Sequence, residues 1–379
     1  MKIPSKLKRI LKIMLITVLS VIGLIVIVTL LFVNLSPEFG GTATKAQKMS
    51  YQKSTNYKEG KFVNKNPVQL DMSARDMGKT LLEFFRPQKS TTPKEDIAVK
   101  KIDSAAFSQY QGATRLVWFG HSTFLLQMNQ KTILIDPMFG KVPAPHPYLG
   151  ANRFSKELPL EVEKIPKVDA VVLSHDHYDH LDYGSIRKLK NKVAFFYTPL
   201  GVGVHLEAWG IERERIIELD WWQEISLEDL TFICTPAQHF SGRGLNDRAN
   251  TLWSSWVIKS EEERIFFSGD SGYAEHFKEI GDAYGPFDLA MMECGQYNEK
   301  WSDIHMFPEE TAQAGIDVRA KKILPIHWGA FKLAMHSWTD PIERVSKKAK
   351  ALNLPLIAPR IGEVVLLDSK QAQNTKWWD

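Results

Sequence analysis

The sequence predicts an α/β fold in which two β-sheets pack face to face with helices outside, carried behind one N-terminal transmembrane helix. Three observations predict it. From residue 113 onwards the chain falls into two successive β-rich halves, each with helices between its strands. One buried-type strand of Val and Leu runs directly into three histidines and several aspartates, from His175 to Asp182. Ahead of both, residues 13–33 form an uninterrupted, uncharged apolar stretch.

That stretch is rich in Ile, Leu and Val and reaches the roughly 20 residues a spanning helix needs. Lys2, Lys6, Lys8, Arg9 and Lys12 precede it. A cleaved signal peptide would have a shorter apolar core, roughly 7–15 residues, and a small-residue cleavage site. The sequence after the stretch offers no clean one. The reading is an uncleaved anchor: residues 1–12 a basic cytoplasmic N-terminus, 13–33 the span, and the rest of the chain outside the cytoplasm by the positive-inside bias. Residues 34–112 read as a linker and N-terminal extension packed on the catalytic domain, 113–379. The Gly- and Pro-marked segment 36–41 suits a hinge between membrane and domain. Residues 74–85 suit one amphipathic helix, with Met77, Leu81, Leu82 and Phe85 at helical spacing.

In the domain, 115–119, 123–128 and 132–136 read as a meander of short strands between turn residues. Residues 169–174 and 193–197 are further strands, with a helix from 185 to 189. In the second half 231–235, 253–259, 264–268 and 289–293 read as strands. Residues 309–318 read as a helix opened by Pro308, with Glu309 and Glu310 in its first turn. Residues 323–326 and 364–367 are late strands.

Composition narrows the partners. The chain has 379 residues, enough for one large catalytic domain with extensions. Its formal charge is only +4, part of it from the basic N-terminus, and there is no basic stripe, so nucleic acid is not among the expected partners. The two cysteines, Cys234 and Cys294, are too few for a disulfide framework or a four-thiolate zinc site and read as buried free thiols. A homodimer is left open.

The run Ser174-His175-Asp176-His177-Tyr178-Asp179-His180 carries the chemistry. Packing does not explain three histidines within six residues after a buried strand, because unpaired buried imidazoles and carboxylates are costly. A metal explains them, since neutral imidazole and carboxylate suit zinc. His175 and His177, at alternate positions in extended chain, face the same way. Asp179 and His180 follow after the chain turns and can face a second ion. Three later segments each place a candidate ligand at a strand end: His239 in Pro236-Ala237-Gln238-His239, Asp270 in Ser268-Gly269-Asp270-Ser271-Gly272, and His327 in Ile326-His327-Trp328-Gly329.

The H-x-H-x-D-H run followed by a His, an Asp and a His resembles the metallo-β-lactamase superfamily. That resemblance implies an αββα sandwich with the metals at the edge between the sheets. It implies that His175, His177 and His239 hold one ion, that Asp179, His180 and His327 hold the other, and that Asp270 bridges. The expected cofactor is two Zn2+, although such His/Asp sites also accept iron and manganese. Gly120-His121-Ser122-Thr123, Ile135-Asp136-Pro137, Arg153-Phe154, Leu219-Asp220-Trp221-Trp222, Gln238-His239, Leu252-Trp253-Ser254-Ser255-Trp256 and His327-Trp328-Gly329 are similar, more narrowly, to the N-acylphosphatidylethanolamine-hydrolysing phospholipase D family. The hydrophobic anchor is not part of that pattern.

The narrower resemblance implies phosphodiester hydrolysis of a phospholipid, releasing the head-group alcohol, with Asp179 and Asp270 at the reacting centre. His305 is a candidate for orienting substrate or protonating the leaving group; the bland reading is a histidine that only satisfies the approach to a helix. His121, Gln238 and Trp328 are expected beside the metals or the substrate. His146, His205, His276 and His336 read as surface or packing residues. A lactonase, or another carboxyl-ester or amide hydrolase, is the competing enzyme, because the same metal set serves attack on a carbonyl. A non-enzymatic zinc-binding envelope protein would have a damaged ligand set, which this sequence does not show.

Overall fold

The computed structural model describes residues 4–68, 78–80, 82, 83, 86, 90–368 and 376–379. Most of the amphipathic helix expected at 74–85 lies outside them.

Burial on both faces builds the first sheet. In β3 (Arg115–Trp118), β4 (Phe124–Met128), β5 (Lys131–Ile135) and β6 (Val168–Val172), successive side chains point to opposite faces. Leu116, Phe124, Leu126, Ile133, Ile135, Ala170 and Val172 enter the core between the sheets. Val117, Leu125, Leu134 and Val171 enter a second core on the outer face. There they meet Phe107 of helix α3 (Ser104–Ser108), Ile186 and Leu189 of α4 (Tyr183–Leu189) and Leu206 of α5 (Gly203–Ala208). With both faces covered these strands carry apolar residues at nearly every position, which is the buried-strand signature read from the sequence.

The first sheet has the order β15-β3-β4-β5-β6-β7-β8, with β7 (Val193–Pro199), β8 (Ile216–Leu219) and β15 (Val364–Leu366). It is an antiparallel meander over β3–β5 and parallel from β5 to β8. The second sheet has the order β14-β13-β12-β11-β10-β9. Its strands are β9 (Glu224–Leu227), β10 (Leu230–Thr235), β11 (Ser255–Lys259), β12 (Arg264–Phe267), β13 (Leu289–Glu293) and β14 (Ile323–Ile326). Helices α6 (His276–Tyr284), α7 (Pro308–Asp317) and α8 (Asp340–Ala351) cover its outer face, with Phe277, Ala312, Ile342 and Val345 in the core. The result is the two-sheet sandwich with outer helices that the sequence predicts. The C-terminal ends of β6, β10, β12, β13 and β14 reach one edge of it, and the metal-type residues follow at that edge.

The N-terminal region differs from expectation at one point. Helix α1 (Ser5–Leu35) is a single apolar helix with no buried residue, long enough to cross a membrane. The segment after it is not a hinge but a docked collar. Buried Arg243 donates from Nε and Nη2 to the Glu38 carbonyl at 2.9 and 2.6 Å. Trp209 Nε1 donates to the Pro37 carbonyl at 2.7 Å, and the Gly41 amide donates to His205 Nδ1 at 3.1 Å. A Cβ on Gly41 would lie 2.3 Å from the Val204 carbonyl oxygen, so glycine here serves close approach rather than freedom. Beyond the collar, α2 (Lys45–Tyr51) and the hairpin β1 (Tyr57–Lys58)–β2 (Lys61–Phe62) place Tyr51 and Phe62 in the main core.

Candidate metal centre

Each side chain of the centre is delivered by a strand end and aimed by a partner. β6 ends at Val172, and the next residues bring in His175, His177, Asp179 and His180. β10 delivers His239, β12 delivers Asp270 and β14 delivers His327. Gly269 makes the turn before Asp270 possible: its φ is +57°, and a Cβ there would meet the Ser254 carbonyl oxygen at 2.6 Å. Two loops pair at the centre, with the His327 amide on the His121 carbonyl and the His121 amide on the Trp328 carbonyl, both at 3.1 Å. His121, Asp136 and His327 all have positive φ, at 55°, 40° and 64°. Such backbone costs about 1–3 kcal/mol per residue and concentrates at working sites.

Two groups of four side chains result, and a smaller third joins Asp270, His305 and His327. His175, His177, His239 and Asp270 converge, and so do His121, Asp179, His180 and His327. Asp270 Oδ2 lies between the two groups, 3.1 Å from both His180 Nε2 and His327 Nε2 and 3.8 Å from both His175 Nε2 and His239 Nε2.

Hydrogen bonds on the far side of each ring fix which nitrogen carries the proton. His180 Nδ1 faces Asp136 Oδ2 at 2.7 Å, so its N–H points outward and the Nε2 lone pair inward. His239 Nδ1 donates to the Ile304 carbonyl at 3.1 Å and His327 Nδ1 to the Gly295 carbonyl at 3.3 Å. The Ser174 hydroxyl donates to Asp136 at 2.5 Å, which leaves its oxygen to accept from His175 Nδ1 at 2.9 Å. Four Nε2 lone pairs therefore aim at the space around Asp270. His177 Nδ1 lies 2.9 Å from His175 Nε2 and 3.2 Å from His239 Nε2. Lone pairs do not gather in this way for one another's sake. Buried His180 Nε2 and Asp270 Oδ1 make no hydrogen bond. Imidazole lone pairs and a carboxylate aimed at common points fit divalent transition-metal ions.

The electrostatics divide along the same line. Burial holds His175, His177 and His239 below the ordinary histidine range, in the neutral form a ligand needs. Burial also pulls His180 and His327 down, but carboxylates override it. Asp270, Asp179 and Asp136 hold His180 well above its usual range, and Asp270, Asp179 and Glu293 hold His327 at about 10. Burial works against ionising Asp179 and Asp270, yet the surrounding imidazoles keep both well below the carboxylate range. This half of the centre requires positive charge, which protons or cations can supply. Burial pushes His121 down to about 3, so it stays neutral against Asp179, with its Nε2 2.8 Å from Oδ2.

The remaining sequence candidates separate clearly. His305 lies in the cavity that opens from the metal groups, its ring stacked on His327 with centroids 5.1 Å apart. Its Nδ1 contacts buried Glu293 at 2.5 Å. Gln238 does not line the cavity; its Nε2 donates to the Asp303 carbonyl and braces the loop that bears His305. Trp328 is core, stacked on Trp377 and tilted against Trp118, with Nε1 on the Pro325 carbonyl. It braces the His327 turn from behind and does not line the cavity. His205, read as packing, is buried and bonds Asp176 Oδ2 at 3.2 Å. Cys234 and Cys294 are free and buried.

Several residues of the site have roles that no local signature in the sequence shows. Asp136 and Glu293 aim histidines from strand ends remote in the chain. Asn64 of the N-terminal extension bonds both the amide and the carbonyl of His239. The carboxylate of Asp176 points away from the metal groups, to Thr251, Gly242 and His205. The cavity measures about 360 Å3 and is walled by Phe240, Trp301, Ile304 and Leu333, with Arg248 and Lys300 supplying charge.

Residues 131–328 match the family described as the beta-lactamase superfamily domain. An uncharacterised protein of Mycobacterium tuberculosis is 39% identical over 334 residues, covering 86% of this chain and 88% of that protein. N-acyl-phosphatidylethanolamine-hydrolyzing phospholipase D 1 of Caenorhabditis elegans is 33% identical over 229 residues, 57% of this chain and 64% of the worm enzyme. The solved metallo hydrolase Igni18 of Ignicoccus hospitalis shares the fold, with a TM-score of 0.51 at 23% identity over 67% of this chain and 98% of its own. With the sandwich, the converging His/Asp groups and a family match over more than half its length, the chain belongs to the metallo-β-lactamase superfamily and is a metal-dependent hydrolase.

Proposed function

We propose that the protein is a membrane-anchored dinuclear zinc phosphodiesterase of phospholipase D type, acting on N-acylphosphatidylethanolamine-like phospholipids. One observation carries the reading: the paired metal groups open into a cavity that is apolar on its walls and cationic at Arg248, as an amphiphilic phosphodiester requires. At about 360 Å3 the cavity falls within the roughly 300–1,000 Å3 of small-molecule sites and suits the head-group end of a lipid. The similarity to the worm phospholipase supports the same substrate class.

In this reading His175, His177 and His239 hold one ion, Asp179, His180 and His327 the other, and Asp270 stands between them. When bound, the two ions supply Lewis-acid activation of water and of the phosphoryl oxygens. The chain does the rest. Asp136, Ser174, Ile304 and Gly295 keep the ligand rings in the tautomer with Nε2 free. His121 orients Asp179. The Arg248 guanidinium, resting 4.8 Å from the Phe240 centroid, receives the negative phosphodiester. His305 is held through Nδ1 by Glu293, which leaves Nε2 to orient the substrate or give the departing alcohol oxygen its proton. Helix α1 keeps the domain at the bilayer, where the substrate is concentrated, with the N-terminus cytoplasmic and the domain outside.

The test is turnover by the full-length protein, reconstituted with two zinc ions, of an N-acylphosphatidylethanolamine and of a soluble lactone at equal metal loading. Release of phosphatidic acid without lactone opening is expected. Lactone hydrolysis with an inert phospholipid would replace this reading by the carboxyl-ester one.

A further inference from the structure

The docked collar fixes the domain's height on α1, and that height has a consequence for two loops. At about 1.5 Å per residue the uncharged run 13–33 measures about 31 Å, matched to a hydrocarbon core of ~30 Å. Its outer end is therefore near Val33. The domain meets the helix before that end. The Phe32 ring stands against His146 with centroids 5.9 Å apart. Leu30, Val33 and Asn34 line one cavity together with Leu245 and Asn246. Leu30 lies about 5 Å inside the end of the run. The loops bearing His146 and Leu245 thus reach the level of the last turn of the span. At those same loops the chain exposes large side chains: Tyr148 is 91% exposed, Leu149 64% and Leu245 69%. An amphipathic Tyr beside leucines, level with the end of a spanning helix, matches the composition of membrane interfaces.

We propose that the tips of loops 144–150 and 243–247 seat in the phospholipid interface beside α1, inserting Tyr148, Leu149 and Leu245. This inference rests on the reading of α1 as a membrane span. It adds an orientation to the proposed function. The second loop runs straight into Arg248, which lines the metal cavity, and three residues of chain span at most about 11 Å. Tyr178, between His177 and Asp179, donates to the Arg243 carbonyl at 2.6 Å, and its ring meets Phe39 of the collar at 6.4 Å. The cavity lip is thereby tied to the same plane as the loops. A lipid phosphate would reach Arg248 from the headgroup layer without leaving the bilayer.

The test places single spin labels on the full-length protein in vesicles of phosphatidylethanolamine and phosphatidylglycerol. Cys234 and Cys294 are buried, so an introduced cysteine takes the label. Leu149→Cys and Leu245→Cys probe the loops, Leu24→Cys probes the span, and Glu261→Cys probes the turn after β11, at the opposite end of the strands from the metals. Collision with oxygen, against collision with an aqueous nickel chelate, reports depth. The expected result is loss of nickel accessibility at 149 and 245, as at 24, with full accessibility at 261. If 24 is shielded while 149 and 245 are as accessible as 261, the seating is overturned and the span stands. If 24 is itself accessible, the span reading falls and the seating falls with it.

Discussion

Replacing Asp136 by asparagine should weaken metal binding without touching a metal ligand. The carboxylate receives three donors: His180 Nδ1 at 2.7 Å, the Ser174 amide at 2.7 Å and the Ser174 hydroxyl at 2.5 Å. It is fully buried, so no water replaces a lost acceptor. Asparagine offers one acceptor oxygen and an NH2 that must donate. With its oxygen kept on the Ser174 amide, the NH2 faces His180, which accepts only by moving its proton from Nδ1 to Nε2. That puts a proton on the nitrogen meant for the ion. Losses of this kind run to about 10–100-fold in metal affinity, or about 1.4–2.8 kcal/mol. The loss should fall mainly on the ion proposed at Asp179, His180 and His327. His175 reaches Asp136 only through the Ser174 hydroxyl, so its ion should be affected less. Competition against a zinc chelator, on protein in detergent, resolves the two steps. Two affinities equal to those of the unaltered protein would refute the tautomer argument.

Further outcomes follow from the same geometry. Asp270→Ala removes the oxygen between the two groups, so activity should collapse while the melting temperature of the fold changes little; unaltered turnover at full metal loading would contradict the bridging role. His239→Ala and His327→Ala should each lose one ion after dialysis, and not the same one, by metal counting; equal loss of both ions from both proteins would show that the groups are not separable. Burial, with Lys65 adding to it, pushes His276 down to about 3. The unfolded chain therefore binds the extra proton between pH ~6.5 and ~3, so stability is full above that window and falls within it by up to about 1.4 kcal/mol per pH unit. A His276→Gln protein should lose melting temperature less steeply between pH 7 and 5, and parallel curves would disprove this. Arg243→Lys leaves the half-buried carbonyl of Glu38 and the buried carbonyls of Asp176 and Leu181 short of donors, for a loss of about 2–4 kcal/mol. It should also open residues 36–44 to protease in vesicle-bound protein, and resistance there would mean the collar is held without it.

The strands were legible because both faces of the first sheet are covered, and Leu116, Val117, Leu125 and Leu126 must all be apolar for that reason. The run from His175 to His180 was legible because clustered imidazoles after a buried strand have no packing explanation. Strand β9 was not, since its residues are half exposed or fully exposed and carry no pattern of their own. The roles of Asp136, which stands in the motif Ile135-Asp136-Pro137, and of Glu293 were not legible for another reason. One acid at a strand end looks like a turn residue until the fold brings a histidine to it from His180 or His305. The hinge expected at 36–41 failed because Gly and Pro are also what a chain uses when it must lie flat against a neighbour. The partner that decides between the two readings, Arg243, is about two hundred residues away in the chain.

Charge connects these bracing residues to the ions proposed. Asp179 and Asp270 face the metal groups directly, and Asp136 and Glu293 stand behind the histidines. Water is largely excluded from this edge. Burial pushes the Asp136 carboxyl up, while the surrounding imidazoles hold Asp179 and Asp270 down. His121 is held neutral, and Asp176 is oriented towards His205, Thr251 and Gly242, with Arg243 on its own carbonyl. Buried negative charge without a counter-charge is expensive in low dielectric. Protons on His180 and His327 answer it in the metal-free protein, and cations would displace them. The carboxylates therefore do more than aim rings: they make the edge demand positive charge. Of the two cations on the cavity, Lys300 is paired with Glu83 at 2.6 Å, whereas Arg248 rests on the Phe240 ring beside the metal groups.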